Sequence, residues 1–297
     1  MLKNNQKFAQ FGLVLTTLAW GATFVLVKEG LNDAPPFAFA GYRFLIASLC
    51  MIPFVYKKIL NVKKDELIGS IYCGIFLFLG YAFQNFGLWE NDIYLSTTPS
   101  KSAFITSISI LFVPLMLLFI PSQKISFRIW AGICLATVGL YLLLDPIVNG
   151  ISTGDFLTFG CAICFAIHII IQDRYAKSKI NLARFFFFQV LTVTILSFLC
   201  TSIVEHQTIN WSIQLINALL LTGIIATTIA IILMLWAQKI LNPSETALIF
   251  SLEPVFAAIF SWFLLNEILN NQEIVGGILV VFSVGWAEGN SNNNHNS

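Results

Sequence analysis

Charge is scarce in this sequence. Of its 297 residues, 10% are Asp, Glu, Lys or Arg, against about 25% in an ordinary water-soluble domain. That shortage excludes a chain that folds around one core and meets water on every side. Histidine is rarer still. There are three, and His206 and His295 fall in a loop and in the C-terminal tail, so no cluster of catalytic or metal-binding imidazoles can form. No phosphate-binding P-loop, dinucleotide-binding glycine pattern or HExxH sequence occurs, so no cofactor or metal is expected. The six cysteines all lie within apolar stretches, which argues against a disulfide framework. Cys161 and Cys164 form a CxxC without the second ligand pair that a metal site needs. The net charge of +1 carries no signature of a partner, and no nucleic-acid partner is expected.

What is present is apolar surface. Hydrophobic residues make up 57% of the chain, 28 of them Phe, and the mean hydropathy is +0.82. A spanning helix needs about 20 mostly apolar residues. Windows of that kind fall at 9–27, 36–56, 67–89, 97–120, 126–144, 155–172, 184–204, 212–236, 243–265 and 274–288. A transmembrane β-barrel would alternate polar and apolar positions, and runs such as 215–235 do not. The sequence therefore predicts an all-α membrane protein of ten transmembrane helices, with the lipid bilayer as its solvent. The first window is longer than a signal peptide's apolar core and is followed by Lys28-Glu29 rather than small residues, so it reads as a retained span.

The distribution of basic residues orients the chain. With the N-terminus inside, 13 of the 16 Lys and Arg lie on the cytoplasmic side, Lys57, Lys63, Lys64, Arg174, Lys177 and Lys239 among them. The positive-inside rule then predicts a cell inner-membrane protein with both termini cytoplasmic.

The chain also repeats. A shift of 144 residues superimposes Pro99 on Pro243, Ala103 on Ala247, Ser107 on Ser251, Phe112 on Phe256 and Gly132 on Gly276, among nine identities over 99–135. Roughly three or four would arise by chance in so biased a composition. Five spans per copy is an odd number, so the second copy enters the membrane upside down. The charge pattern agrees, because the loops near 205–212 and 266–273 carry no Lys or Arg. The expected units are 1–147 and 148–289, followed by a disordered polar tail at 290–297. Inverted repeats are a mark of secondary transporters, with the substrate site near the midplane between the halves.

Several local stretches fit the same reading. They are Leu18-Ala19-Trp20-Gly21-Ala22-Thr23-Phe24, then Pro36 with Arg43-Phe44, then Gly80-Tyr81-Ala82-Phe83-Gln84-Asn85-Phe86-Gly87-Leu88 and Ser102-Ala103-Phe104-Ile105. In the second half they are Leu252-Glu253-Pro254-Val255-Phe256 and Asn266-Glu267. In this order and in two copies the chain resembles the EamA family of the drug/metabolite transporter superfamily. The resemblance implies ten helices, a central cavity and transport of small metabolites, often export. One departure is Gln123, which stands where the second copy has Glu267.

Buried polar groups mark the candidate site, since charge within a span is costly and persists where it faces a cavity or a partner. Arg43 lies about 12 Å into its helix at 1.5 Å per residue. It is either a ligand for a substrate carboxylate or an interhelical hydrogen-bond anchor. Glu253 lies roughly 15 Å in, near the bilayer centre. It can bind a cationic group, carry a coupling proton, or cap a helix kinked at Pro254. Pro114 is expected to break the equivalent helix. Lys101 either snorkels to the outer interface or gates an entrance. Gln84 and Asn85 are either cavity lining or interhelical glue. Tyr81, and Trp20 in mid-span, are either ring contacts for a substrate or packing. His168 and Gln172 share a face and read as a proton relay or a helix contact. The whole predicts a secondary transporter for a small molecule rather than an enzyme. The alternatives are a membrane-embedded enzyme and a non-transporting assembly partner. No oligomeric state follows from the sequence.

Overall fold

A computed structural model describes residues 2–57, 59–120, 125–144, 151–265 and 270–289. The polar tail at 290–297 and the contrast between Gln123 and Glu267 lie outside them. The described residues are helical and contain no strand. In chain order the helices are α1 (Leu2–Gly30), α2 (Pro36–Val55), α3 (Lys64–Leu88), α4 (Pro99–Ser107), α5 (Ser109–Leu117), α6 (Phe127–Leu144) and α7 (Thr153–Ala176). They continue with α8 (Leu182–Val204), α9 (Ile213–Leu221), a π-helical segment (Thr222–Ile229), α10 (Ala230–Ala237), α11 (Pro243–Phe250), α12 (Glu253–Leu265) and α13 (Asn271–Gly289). Among the described residues, seven helical stretches are long and apolar enough to cross a membrane, and three shorter apolar stretches lie at Lys101–Leu117, Phe127–Leu143 and Asn271–Ala287. Each apolar window of the sequence coincides with one of these. The outward faces stay apolar, as Phe54, Phe119, Ile203 and Phe282 illustrate, which suits lipid and not water.

Local chemistry sets the helix ends. The window at 155–172 looked short, yet α7 runs for 24 residues. Its start is a capping box, in which the Ser152 hydroxyl accepts from Asp155 N–H at 3.1 Å and the Asp155 carboxylate accepts from Ser152 N–H at 2.8 Å. Its far end continues through buried Gln172 and Asp173, whose polarity hid the helix from a hydropathy reading. Proline opens both α4 and α11 behind a side-chain cap, Thr98 in one case and Asn242 in the other. At the start of α2, the Glu205 carboxylate accepts from Phe37 N–H at 2.7 Å and Ala38 N–H at 2.9 Å. This ties the end of α8 to the free donors of another helix. Burial raises the pKa of that carboxyl above its ordinary value.

Two helices are broken in mid-course. The α11–α12 break falls at Ser251–Leu252, where N–H groups reach back three residues to Leu248 and Ile249, and Glu253-Pro254 opens the next helix. The other break is not at Pro114. That residue sits inside α5, because one missing N–H is tolerated where neighbouring helices hold the segment. The chain tightens at Ile108 instead, whose N–H bonds to Ile105 O at 3.1 Å. The two breaks lie 144 residues apart.

Among the most extensive helix contacts are α6 with α13, α3 with α7 and α2 with α8. The α6–α13 crossing is a backbone contact. A Cβ on Gly139 would come within 2.8 Å of Gly276 O, and one on Gly276 would collide with Leu143 N. Gly277, next in sequence, has only side-chain methyls at 3.7 Å and beyond. Gly276→Ala is therefore expected to cost about 1–3 kcal/mol by overpacking and to lower the melting temperature of detergent-extracted protein. Gly277→Ala should melt like the parent, and equal melting of all three proteins would refute the close crossing.

Candidate binding cavity

The two helix breaks converge on one cavity. α1 supplies Trp20, Thr23 and Phe24, α2 supplies Arg43, and α3 supplies Tyr81 and Gln84. Thr106, Ser107 and Ser109 come from the α4–α5 break, and Phe250 and Glu253 from the α11–α12 break. α7 adds Phe165 and His168, and α10 adds Ile231 and Met234. The empty space, open solvent included, is about 700 Å³, an upper bound that restricts any occupant to a small molecule.

Arg43 is 2% exposed. Its Nε donates to Thr227 Oγ1 at 2.7 Å and its Nη2 to the Tyr81 hydroxyl at 3.1 Å, while the guanidinium carbon lies 4.4 Å from the Tyr81 ring centroid. Each of these partners is neutral. The π-helical segment makes this possible. Ala230 N–H bonds to Ile225 O and Thr227 O rather than to Ala226 O. The released Ala226 carbonyl accepts the indole N–H of Trp20 at 2.7 Å. Trp20 thus both anchors and lines the cavity, with its ring edge-on to Phe250 at 4.9 Å. π-bulges recur at functional sites because they free backbone groups in this way.

Glu253 is buried, at 7% exposure, and among the described residues no side-chain hydrogen bond or ion pair holds its carboxyl. Ser109 lies 144 residues before it, and both line the cavity. Gln84 donates to Thr106 Oγ1 at 3.4 Å. His168 begins a buried polar chain that leads away from the cavity. Its Nε2 lies 2.7 Å from Gln189 Nε2, Gln189 donates to Gln172 at 3.3 Å, Gln172 to Gln238 at 2.9 Å, and Gln238 to Ile169 O at 3.0 Å.

Six of the residues singled out from sequence meet here: Trp20, Arg43, Tyr81, Gln84, His168 and Glu253. Asn85 does not line the cavity. It is 1% exposed and donates to Pro36 O at 3.2 Å, joining α3 to the start of α2. Lys101 lies outside the lining too, paired with Asp155 at 3.2 Å between α4 and α7. Pro114 and Pro254 shape helices without lining the space. Thr227, Ala226, Gln189 and Gln238 were missed. The signal for the first two was a Gly and three Thr in the stretch Thr222–Ile229, polar punctuation inside an otherwise apolar run. Among the described residues no cluster of His, Cys, Asp and Glu could hold a metal ion.

The apolar helices mark a multi-pass membrane protein with a cavity among them, and comparison with known proteins narrows the class. The EamA-like transporter family matches residues 7–145 and again 152–287. The chain belongs to that family. A protein of Archaeoglobus fulgidus named "Uncharacterized transporter" is 34% identical over 279 residues, covering 93% of this chain and 84% of the relative. A Salmonella typhimurium protein named "Probable amino-acid metabolite efflux pump" is 27% identical, with 91% of each chain covered. A Rickettsia bellii "S-adenosylmethionine uptake transporter" is 24% identical, covering 90% of this chain and 89% of its own. A solved crystal structure shares the fold with a TM-score of 0.75 at 17% identity, over 94% of this chain and 96% of that one.

Thr227→Val removes the acceptor of Arg43 Nε and leaves a buried guanidinium N–H unpaired, which costs about 1–3 kcal/mol. Thermal unfolding in detergent should show that loss, and Thr227→Ser should restore it. A Val variant as stable as the Ser variant would refute the anchoring role.

Proposed function

We propose that this transporter moves a small metabolite across the cytoplasmic membrane by alternating access around the central cavity. Its ten apolar stretches cross the bilayer as two oppositely oriented five-helix units, 1–147 and 148–289, with both termini cytoplasmic. The observation that carries this reading is the cavity itself. It lies between segments of both units, its wall includes both helix breaks, and it holds a buried cation and a buried carboxyl. A structural assembly partner has no use for such an expensive interior.

Internal symmetry supports the inverted units. Gly276 meets Gly139 and Leu143, while Gly132 meets Ser283 and Ala287, and each of these three residues is offset from its counterpart by 144. The contact of α3 with α7 is mirrored by that of α1 with α9 and α10, and the contact of α4 and α5 with α7 by that of α1 with α11 and α12. The family also matches once in each unit. Two such halves can exchange roles, which gives one conformation open to each side.

The ends of the helices carry the contacts that such a cycle would break and remake. On the proposed outer side Lys101 pairs with Asp155, and Lys28 bonds to Glu90 at 2.9 Å and to Leu88 O at 2.7 Å. On the proposed inner side Arg184 holds Glu66 through two bonds of 2.6 Å. Lys101 then acts as an outer gate rather than as a substrate ligand. Relatives named for efflux of amino-acid metabolites and for uptake of S-adenosylmethionine support a small-metabolite cargo and leave both directions in use.

Two measurements test the proposal. Single cysteines replacing Lys57 and Lys177 should react with an impermeant maleimide from the same face of the membrane. Labelling from opposite faces would overturn the inverted units. Proteoliposomes loaded with a mixed metabolite extract should exchange a subset of it, read by mass spectrometry, and empty liposomes should not. Identical profiles would overturn transport.

A further inference from the structure

Two connections on the proposed inner side lie against each other and hold more positive charge than nearby carboxylates neutralise. One joins α2 to α3 and the other joins α7 to α8. Their adjacency is built in. Arg184, at the start of α8, donates to Glu66, at the start of α3, through two bonds of 2.6 Å. Gly69 lies so close to the Tyr175 ring that a Cβ there would collide with it, and that ring stacks on Phe185 at 5.4 Å. Ile59 and Ile180, one from each connection, pack on the same apolar cluster.

At and beside these connections Lys57, Lys63, Lys64, Arg174 and Lys179 are exposed and form no ion pair with a described residue. Acidic residues there are fewer. Glu66 is taken by Arg184 and Asp173 by Lys177, which leaves exposed Asp65. The positive-inside rule asks for basic residues on this side and says nothing about where they gather. Large apolar side chains stand among them. Leu60, in a single 3-10 turn over Ile59–Asn61, is 93% exposed. Tyr56 is exposed too, with Lys57 Nζ 5.5 Å from its ring centroid. A soluble anion would answer the cations and leave Leu60 in water. The boundary between lipid headgroups and acyl chains answers both, and a turn between two spanning helices emerges at that depth.

We propose that the two connections form a docking surface for anionic phospholipid of the cytoplasmic leaflet. Its headgroup bridges the lysines of the α2–α3 connection and the basic residues of the α7–α8 connection, while Leu60 and Tyr56 enter the acyl boundary. The cytoplasmic placement rests on the transport reading above, and the site goes beyond it. A bridging headgroup draws the connections together across the Arg184–Glu66 pair. The membrane's own lipid then reinforces a contact proposed to close the inner side.

Native mass spectrometry of the full-length protein in detergent, titrated with dioleoyl phosphatidylglycerol or dioleoyl phosphatidylcholine, reads the binding of single lipids. Phosphatidylglycerol should bind at least about tenfold more tightly than phosphatidylcholine. Lys63→Gln/Lys64→Gln should reduce that preference at least about threefold, and Arg174→Gln/Lys179→Gln likewise, because the headgroup bridges both connections. Lys63→Arg/Lys64→Arg keeps the charge and should keep the preference. Lys7→Gln/Arg128→Gln, at the proposed inner ends of α1 and α6, removes the same charge elsewhere and should also keep it. If a Gln pair fails to run as a single species on size exclusion, the single variants Lys63→Gln and Lys179→Gln replace it, each with a smaller loss. The inference is overturned if the two lipids bind alike, or if all three Gln pairs weaken the preference equally. It is also overturned if inorganic phosphate at equal concentration displaces phosphatidylglycerol, which would make this a site for soluble anions. Equal lipid binding with Lys57 and Lys177 labelled from one face overturns the lipid surface and leaves the inverted units standing. Labelling from opposite faces removes the shared surface together with those units.

Discussion

Inside a bilayer a peptide N–H or carbonyl without a partner has no water to turn to. A spanning segment can leave the α-helix only where something else satisfies the backbone groups it releases. The chain does so inside three of its apolar stretches, at Ile108, at Ser251–Leu252 and along Thr222–Ile229, and each contributes to the same cavity or to the groups that hold it. The released Ala226 carbonyl takes the Trp20 indole, Thr227 takes Arg43, and residues flanking the two breaks line the space. Irregular backbone and binding cavity are one feature described twice.

Charge follows a parallel rule. At the helix ends it is paired at short distance, as in Glu66 with Arg184 and Asp155 with Lys101, and these pairs join helices that a rocking motion would separate. In the centre, Arg43 has neutral partners, while Glu253 has no described one. Paired charge thus lies at helix ends, and charge without an opposite partner among the described residues lies on the cavity wall. The polar chain from His168 through Gln189 and Gln172 to Gln238 is different again. It is buried and joins α7, α8 and the end of α10 by hydrogen bonds between side chains without an ion pair.

Close approach of helices sets the frame for both. Without a hydrophobic drive between them in lipid, spanning helices associate by packing, and small residues let backbones meet. Gly139 and Gly276 do this for α6 and α13, and Gly21 lets α1 lie against the backbone at Glu253 and Ala257. The second contact brings Trp20 and the α11–α12 break to the same wall, so a glycine with no chemistry of its own helps to form the site.

Much of this was legible beforehand, for reasons that are local. Hydropathy marks where lipid must touch the chain, and it located every apolar stretch. Charge too costly to leave without purpose singled out Arg43 and Glu253. What stayed hidden depends on distant neighbours. Nothing local to Asn85 says that Pro36 O will meet it, and nothing in Lys101 says that Asp155 stands 3.2 Å away. The break at Ile108 rather than Pro114, and the π-helical segment whose Ala226 and Thr227 meet Trp20 and Arg43, carry no local mark that hydropathy reads. The sequence by itself determined which segments seek lipid and which residues are too polar to be idle there. Only the tertiary structure decided which of those residues share a cavity, because in a medium without water a polar group's partner is whichever neighbour the packing brings within reach.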